Sequence, residues 1–248
     1  MMPRAIRLPP GRLPLASRPM DTRPASRLSP SLFALSIFYG GMVCIAGVLG
    51  NKQVALGPLS ALGPLLGLRP LAIEAGIAAF LLLVVTSSAI AELHGRAVAN
   101  RLVGFGFVPL IVSILLSWLV HELPASPDML PANHDAIQLV LGATWRIWLG
   151  GIIAYGISQT LNVTIFAWLK GREGASLLWL RAALASMGSQ VVDTLLFVSI
   201  AFYGQFPIRE LLLGQMIVKV VLSAVLVPPL IYLLVALGRH LDGRVDRA

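Results

Sequence analysis

The sequence predicts an all-α membrane protein, a bundle of about six transmembrane helices with both termini in the cytoplasm, and three observations predict it. Of its 248 residues, 57% are hydrophobic and only 12% are charged, against about a quarter charged in soluble domains, and the mean hydropathy is +0.84. Apolar runs of the roughly 20 residues needed to cross about 30 Å of hydrocarbon recur six times. The basic residues are distributed unequally between the connections that join those runs.

Taken in order, residues 1–30 carry six arginines, one acid (Asp21) and scattered Pro and Ser. Without an apolar core this segment is neither a signal peptide nor a packed unit, and it reads as a disordered cytoplasmic tail. The spans are expected at 32–50, 71–90, 102–120, 147–168, 182–203 and 211–237, within a transmembrane domain of residues 31–240 followed by a short tail, 241–248. Helices suit these runs because they satisfy their own backbone groups in lipid. The Gly/Pro-rich stretch 51–70, with Gly57-Pro58 and Gly63-Pro64, predicts a structured turn region or a re-entrant piece. The longest polar loop, 121–146, contains Pro124, Pro127 and Pro131 and no Lys or Arg before Arg146. Tandem Pro228-Pro229 predicts a kink or break in the last span.

Orientation follows from charge. Counting connections alternately, fourteen Lys and Arg fall on one side, which includes both termini, and four on the other: Lys52, Arg69, Arg146 and Arg209. The positive-inside rule then places both ends in the cytoplasm, as an even number of spans requires. The net charge of +8 is explained by this topology, so no nucleic-acid partner is expected. Cys44, the lone cysteine, excludes an intrachain disulfide. No phosphate loop, zinc-protease motif or nucleophile turn is present, and His94, His121, His134 and His240 lack metal-ligand spacing. No enzyme activity, metal or cofactor is expected.

Polar side chains inside the spans carry the functional signal, because a charge in hydrocarbon costs about 2.5–3.5 kcal/mol on insertion scales. The fourth span contains Ser158-Gln159-Thr160-Leu161-Asn162-Val163-Thr164-Ile165-Phe166, and the fifth Ser189-Gln190-Val191-Val192-Asp193-Thr194-Leu195-Leu196-Phe197. Both spell S-Q-x-x-[N/D]-x-x-x-F. On a helix the Gln, the Asn or Asp, and the Phe fall on one stripe. Such paired stripes form either two walls of one pocket or interhelical hydrogen-bonding faces. At about 1.5 Å rise per residue, Gln159, Asn162, Gln190, Asp193 and Lys219 lie about 12–22 Å below the outer ends of their spans. That is the depth at which transporters bind substrate. Asp193 accepts two N–H bonds, the glutamines both donate and accept, and Phe166 and Phe197 offer flat faces. The set suits a small planar heterocycle such as a guanine better than a sugar or peptide. Glu74 lies at the start of the second span, where an interfacial position is expected, and Thr86, Ser87 and Ser88 are expected to bond back to helix carbonyls.

These residues resemble the queuosine precursor transporters, a branch of the vitamin-uptake membrane proteins. The resemblance covers the chain from about residue 32 and is densest at 158–204. There Ser158-Gln159, Phe166, Lys170, Leu178-Trp179-Leu180-Arg181, Ser189-Gln190-x-x-Asp193-Thr194, Phe197 and Ala201-Phe202-Tyr203-Gly204 look like the family's signature. Lys219, Pro228 and Tyr232 are similar to its last helix. The chain departs from the pattern at Asn162, where the family often has Asp, and at Ala182-Ala183, where two asparagines commonly follow the arginine. Its Ser87-Ser88-Ala89-Ile90-Ala91-Glu92-Leu93-His94-Gly95 keeps the Glu and Gly of a further family element while losing the Asp and Tyr. The resemblance implies uptake of a 7-deazaguanine (7-cyano- or 7-aminomethyl-7-deazaguanine) across a bacterial inner membrane for tRNA modification. In that reading Asp193 and Asn162 grip one edge of the base, Gln159 and Gln190 another, Phe166 and Phe197 cover the ring, and Lys219 neutralises Asp193 or touches the ligand. Expected partners are the lipid bilayer and the heterocycle, with homo-oligomerisation left open. The competing readings are a substrate-binding subunit served by a separate ATPase module, and a non-transporting membrane scaffold.

Overall fold

The computed structural model describes residues 29–245, except 51, 56, 66, 68, 143–144, 174–176 and 205–207. The expected N-terminal tail, apart from residues 29 and 30, lies outside the described residues. Among the described residues, eight α-helices, one short 3-10 helix (Gly57–Ala61, between β1 and α2) and one small hairpin are present, in the order α1 (Pro30–Leu49), β1 (Gln53–Ala55), α2 (Leu62–Leu65), β2 (Ala72–Glu74), α3 (Ile77–His94), α4 (Arg96–Glu122), α5 (Pro131–Leu141), α6 (Trp145–Glu173), α7 (Leu178–Phe202) and α8 (Arg209–Val245). Six of them, α1, α3, α4, α6, α7 and α8, are long and apolar enough to cross a membrane. The chain is therefore an all-α, multi-pass membrane bundle, as the sequence predicts.

Local chemistry sets the helix ends. Ser29 caps α1 by accepting from Leu32 N at 3.3 Å, with Pro30 in the first helical position, where a missing N–H costs nothing. The Asp242 carboxylate, near the far end of α8, then accepts from Ser31 N at 3.0 Å, Ser31 Oγ at 2.7 Å and Ser29 Oγ at 2.8 Å. An anion at a helix N-terminus is favoured by the helix dipole. Ser31 Oγ also meets His94 Nε2 at 2.8 Å, so one polar clasp ties α1, α3 and α8 together at the end of the bundle that holds both ends of the described chain. At the opposite end, Arg146 donates to Ile200 O at 3.1 Å and Tyr203 O at 2.9 Å, closing the otherwise unsatisfied carbonyls of α7.

α3 stands at the centre. Val84 through Ile90 are fully buried, so this helix shows no lipid-facing stripe. α4, by contrast, has only Ala99, Val103 and Gly106 buried; Val98, Leu102, Phe107 and Leu110 pack against the core, and a flank that includes Phe105, Val108, Val112 and Leu116 is exposed. The connection between α3 and α4 is the single residue Gly95, at φ 86° and ψ 163°, a conformation that glycine adopts without Cβ strain. α6 packs on α7 and α7 on α8, with α3 lying against α1, α4, α6, α7 and α8.

Three expectations are corrected. The second span begins at Ile77 rather than 71, because Ala72–Glu74 pairs with Gln53–Ala55 as an antiparallel hairpin. The loop 121–146 contains the helix α5, which Pro131 starts and Gln138 ties to α4 by donating to His121 O at 3.0 Å. The last span runs as one helix, Arg209–Val245, so Pro228 and Pro229 do not break it.

Candidate functional site

The spans enclose a cavity of about 400 Å³ in the half of the bundle near the β-hairpin. Its walls come from the later part of α1, the start of α3, the middle of α4, α5 and the early part of α6. α7 contributes Asp193, Phe197 and Phe202 to the lining, and α8 contributes Lys219. Nine residues separate Asp193 from the end of α7 and ten separate Lys219 from the start of α8, or about 14–15 Å of helix. The floor therefore lies at mid-depth.

The floor is charged. Lys219 Nζ lies 3.3 Å from Asp193 Oδ2, with both side chains 8% exposed, and Ser158 Oγ donates to Asp193 Oδ1 at 3.2 Å. Ser158 reaches it from α6, so three helices meet at one carboxylate. Above the pair, the hairpin carries Glu74 into the cavity wall. Gln215 Nε2 donates to Glu74 Oε1 at 3.2 Å. Gln215 precedes Lys219 by one helical turn, so both occupy one face of α8. Burial pushes the Glu74 carboxyl above the ordinary carboxylate range; the Lys219 ammonium and the Gln215 amide pull against that rise, and Asp193 adds to it. Floor and wall together hold two carboxylates and one ammonium among the described residues. The walls are otherwise largely apolar, with Phe80, Trp148, Phe197 and Phe202 among them.

Of the seven residues singled out in the sequence, Asp193, Phe197 and Lys219 line this cavity. The other four lie below its floor, toward the Asp242 clasp. Asn162 Nδ2 is within 3.0–3.1 Å of Val84 O, Ser87 Oγ and Ser88 Oγ, and Gln159 Oε1 accepts from Ser87 Oγ at 3.2 Å. These two amides fasten α6 to α3. Phe166 is fully buried beneath the Arg181 guanidinium, 5.4 Å from the ring centroid, a distance at which a cation is attracted to the ring face. Gln190 is fully buried one turn below Asp193, and neither of its amide atoms has a partner among the described residues. Thr86 bonds back to Leu82 O and Ser87 to Val84 O, as expected.

Farther toward the clasp, Glu92 Oε2 accepts from Lys170 Nζ at 2.9 Å and Arg181 Nη2 at 3.5 Å. Sequence counting assigns Arg181 to a loop, whereas it is the fourth residue of α7 and fully buried. Three more contributors are not assigned to the site by the sequence reading. Tyr155 lines the cavity and its hydroxyl donates to Val103 O at 3.0 Å while meeting Tyr39 OH, also at 3.0 Å. Glu74 and Gln215 carried only weak signals: an acid just before an apolar run, and an amide one turn before an intramembrane lysine.

A family model described as "Putative vitamin uptake transporter" matches residues 74–234, a stretch that contains every polar group of the cavity floor. The chain is similar to the "Probable queuosine precursor transporter" of Bacillus subtilis (strain 168), with 31% identity over 118 residues. That alignment covers 47% of this chain and 50% of the relative, so the chain spans about half the length of the curated relative it matches. No solved structure matches.

Proposed function

Since the chain belongs to the vitamin uptake transporter family, we propose that it imports a queuosine precursor, 7-cyano- or 7-aminomethyl-7-deazaguanine, across the bacterial inner membrane. The observation that carries this reading is the mid-depth cavity of about 400 Å³ with the Asp193–Lys219 pair at its floor. Its volume falls within the range of small-molecule sites, about 300–1,000 Å³. Ionisable groups at this depth mark substrate paths.

A guanine-like edge presents adjacent N–H donors, which a carboxylate accepts side by side, and a carbonyl to which an ammonium donates. Asp193 and Lys219 supply that complement, and Phe197 supplies a flat apolar face for the ring. Ser158 holds Asp193 in place by its hydrogen bond. Gln159 and Asn162 act as fasteners that keep α6 against α3. Gln190 is the next polar group inward from Asp193, and we assign it to the inward passage of the ligand. With both termini cytoplasmic, the cavity faces the exterior, and the Glu92–Arg181–Lys170 cluster closes the cytoplasmic end.

The test is uptake of labelled 7-cyano-7-deazaguanine by cells that cannot synthesise it. Uptake is expected to require this protein and to be lost on Asp193→Ala, with Asn162→Ala judged separately for protein level. Undiminished uptake in cells lacking the protein would support the scaffold reading instead.

A further inference from the structure

We propose that Glu74 is a proton-coupling residue: it takes one proton from the medium on the cavity side as the ligand binds and releases it on the other side with the ligand. This rests on the import reading above and adds its energy source. Four observations lead to it. Glu74 is a second carboxylate on the wall of the cavity that Asp193 and Lys219 floor. One ammonium cannot neutralise two carboxylates, so the described cluster carries one surplus negative charge when both acids are ionised. Glu74 sits on a short hairpin strand rather than within a packed span, at the edge of the cavity, where an exchanging proton has a route to water. Gln215 accompanies it at 3.2 Å and is 2% exposed, and its Oε1 has no partner among the described residues.

That last group explains how both protonation states are accommodated. A glutamine amide donates through nitrogen and accepts through oxygen. In the present arrangement Nε2 donates to Glu74 Oε1, the contact that an ionised carboxylate takes. Rotation of the amide brings the unpartnered Oε1 round to accept from a protonated carboxyl, so the same side chain serves Glu74 with and without its proton.

Ligand enters the account through the other groups. The titratable side chains that face the cavity are Cys44 from α1, Tyr155 from α6, Asp193 from α7 and Lys219 from α8. Lys52, beside the hairpin, is exposed, and α3, α4 and α5 line the space with apolar or hydroxyl-bearing side chains. A ligand whose N–H edge engages Asp193 and whose carbonyl engages Lys219 draws the ammonium away from its compensating position, leaving Glu74 less well balanced. Proton uptake restores neutrality. Linkage makes the effect reciprocal: if ligand promotes proton binding, protonation promotes ligand binding by the same factor.

One proton per ligand implies that affinity falls about tenfold per pH unit above the Glu74 pKa. The experiment uses the full chain reconstituted in liposomes with labelled 7-cyano-7-deazaguanine. Wild-type affinity is expected to follow that slope, and an acidic exterior is expected to drive accumulation. In Glu74→Gln the slope should be flat and accumulation should ignore the pH gradient, while Glu74→Asp should restore both in part. A flat wild-type profile, or a Glu74→Gln profile matching wild type, overturns the proposal. The ligand-free protein supplies a second readout by infrared spectroscopy. The wild-type titration minus that of Glu74→Gln should contain a protonated-carboxyl C=O band that grows as the medium is acidified. If the liposomes bind and exchange no 7-deazaguanine, the import reading fails. The infrared titration then decides the proton site alone: a wild-type minus Glu74→Gln difference with no such band overturns it.

Discussion

Removing one member of the Asp193–Lys219 pair should cost far more than removing both. The two groups are 3.3 Å apart and 8% exposed, which gives an attraction of about 5 kcal/mol at an effective dielectric of about 20. Desolvation of both ions offsets most of this, so the net contribution of the intact pair is small. Breaking a buried pair, by contrast, costs about 3–5 kcal/mol because a lone charge is left behind. Asp193→Asn keeps the volume and an acceptor for Ser158 while removing the charge. Lys219 then retains Glu74 as a nearby acid, so the lower end, about 3 kcal/mol, is expected. For a chain of this size each kcal/mol moves Tm by about 2–4 °C, giving a fall of about 6–12 °C. Lys219→Met leaves two carboxylates facing one cavity and should cost at least as much at neutral pH. The double variant D193N/K219M should return to within about 1 kcal/mol of wild type, since no lone ion of the pair remains. Thermal unfolding of the four proteins in one mild detergent measures the cycle. If the double variant loses the sum of the single losses, the pair is solvated and the reasoning here is wrong.

Other predictions address separate parts of the bundle. A Cβ at Gly106 would run into the Tyr155 hydroxyl and sit 3.0 Å from the Tyr39 ring, so Gly106→Ala should destabilise by about 1–3 kcal/mol; adding Tyr155→Phe should recover part of the loss in a double-variant melt, and full additivity would contradict the contact. Asn162→Ala removes the Nδ2 contacts to α3 and should lower stability by about 1–3 kcal/mol while leaving the dissociation constant for a 7-deazaguanine within about threefold, as isothermal titration can check. Burial raises the proton affinity of Glu74 in the folded state, so its contribution to stability is present below the ordinary carboxylate range and is lost as pH rises through the raised value. The Tm of wild type minus that of Glu74→Gln should therefore fall as pH is increased, and a difference that grows instead would refute the assignment.

Hydropathy alone located the six spans, since twenty apolar residues have few other uses, and it placed Asp193 and Lys219 at one depth. Their meeting was legible because two opposite charges in lipid need each other. Direction was harder to read. Helical periodicity puts Gln159 and Asn162 on one face but does not say which neighbour that face meets; the neighbour is α3, whose Ser87 and Ser88 complete the bonds. The hairpin was hidden because each strand has only three residues, too few for an alternating pattern to stand out. For the same reason Glu74 looked interfacial: only the pairing of Gln53 with Glu74 shows that the chain turns back over the cavity. Arg181 misled the charge count because a loop arginine and a buried one have the same letter, and only Glu92 and Phe166, distant in sequence, distinguish them.

The one-residue join at Gly95 has a mechanical consequence. With one residue between them, the end of α3 and the start of α4 cannot separate, so a shift of the central helix along its axis draws the greasy flank of α4 through the surrounding acyl chains. Work done against the bilayer is thereby built into each excursion of the core. The pace of such excursions should respond to lipid thickness and viscosity.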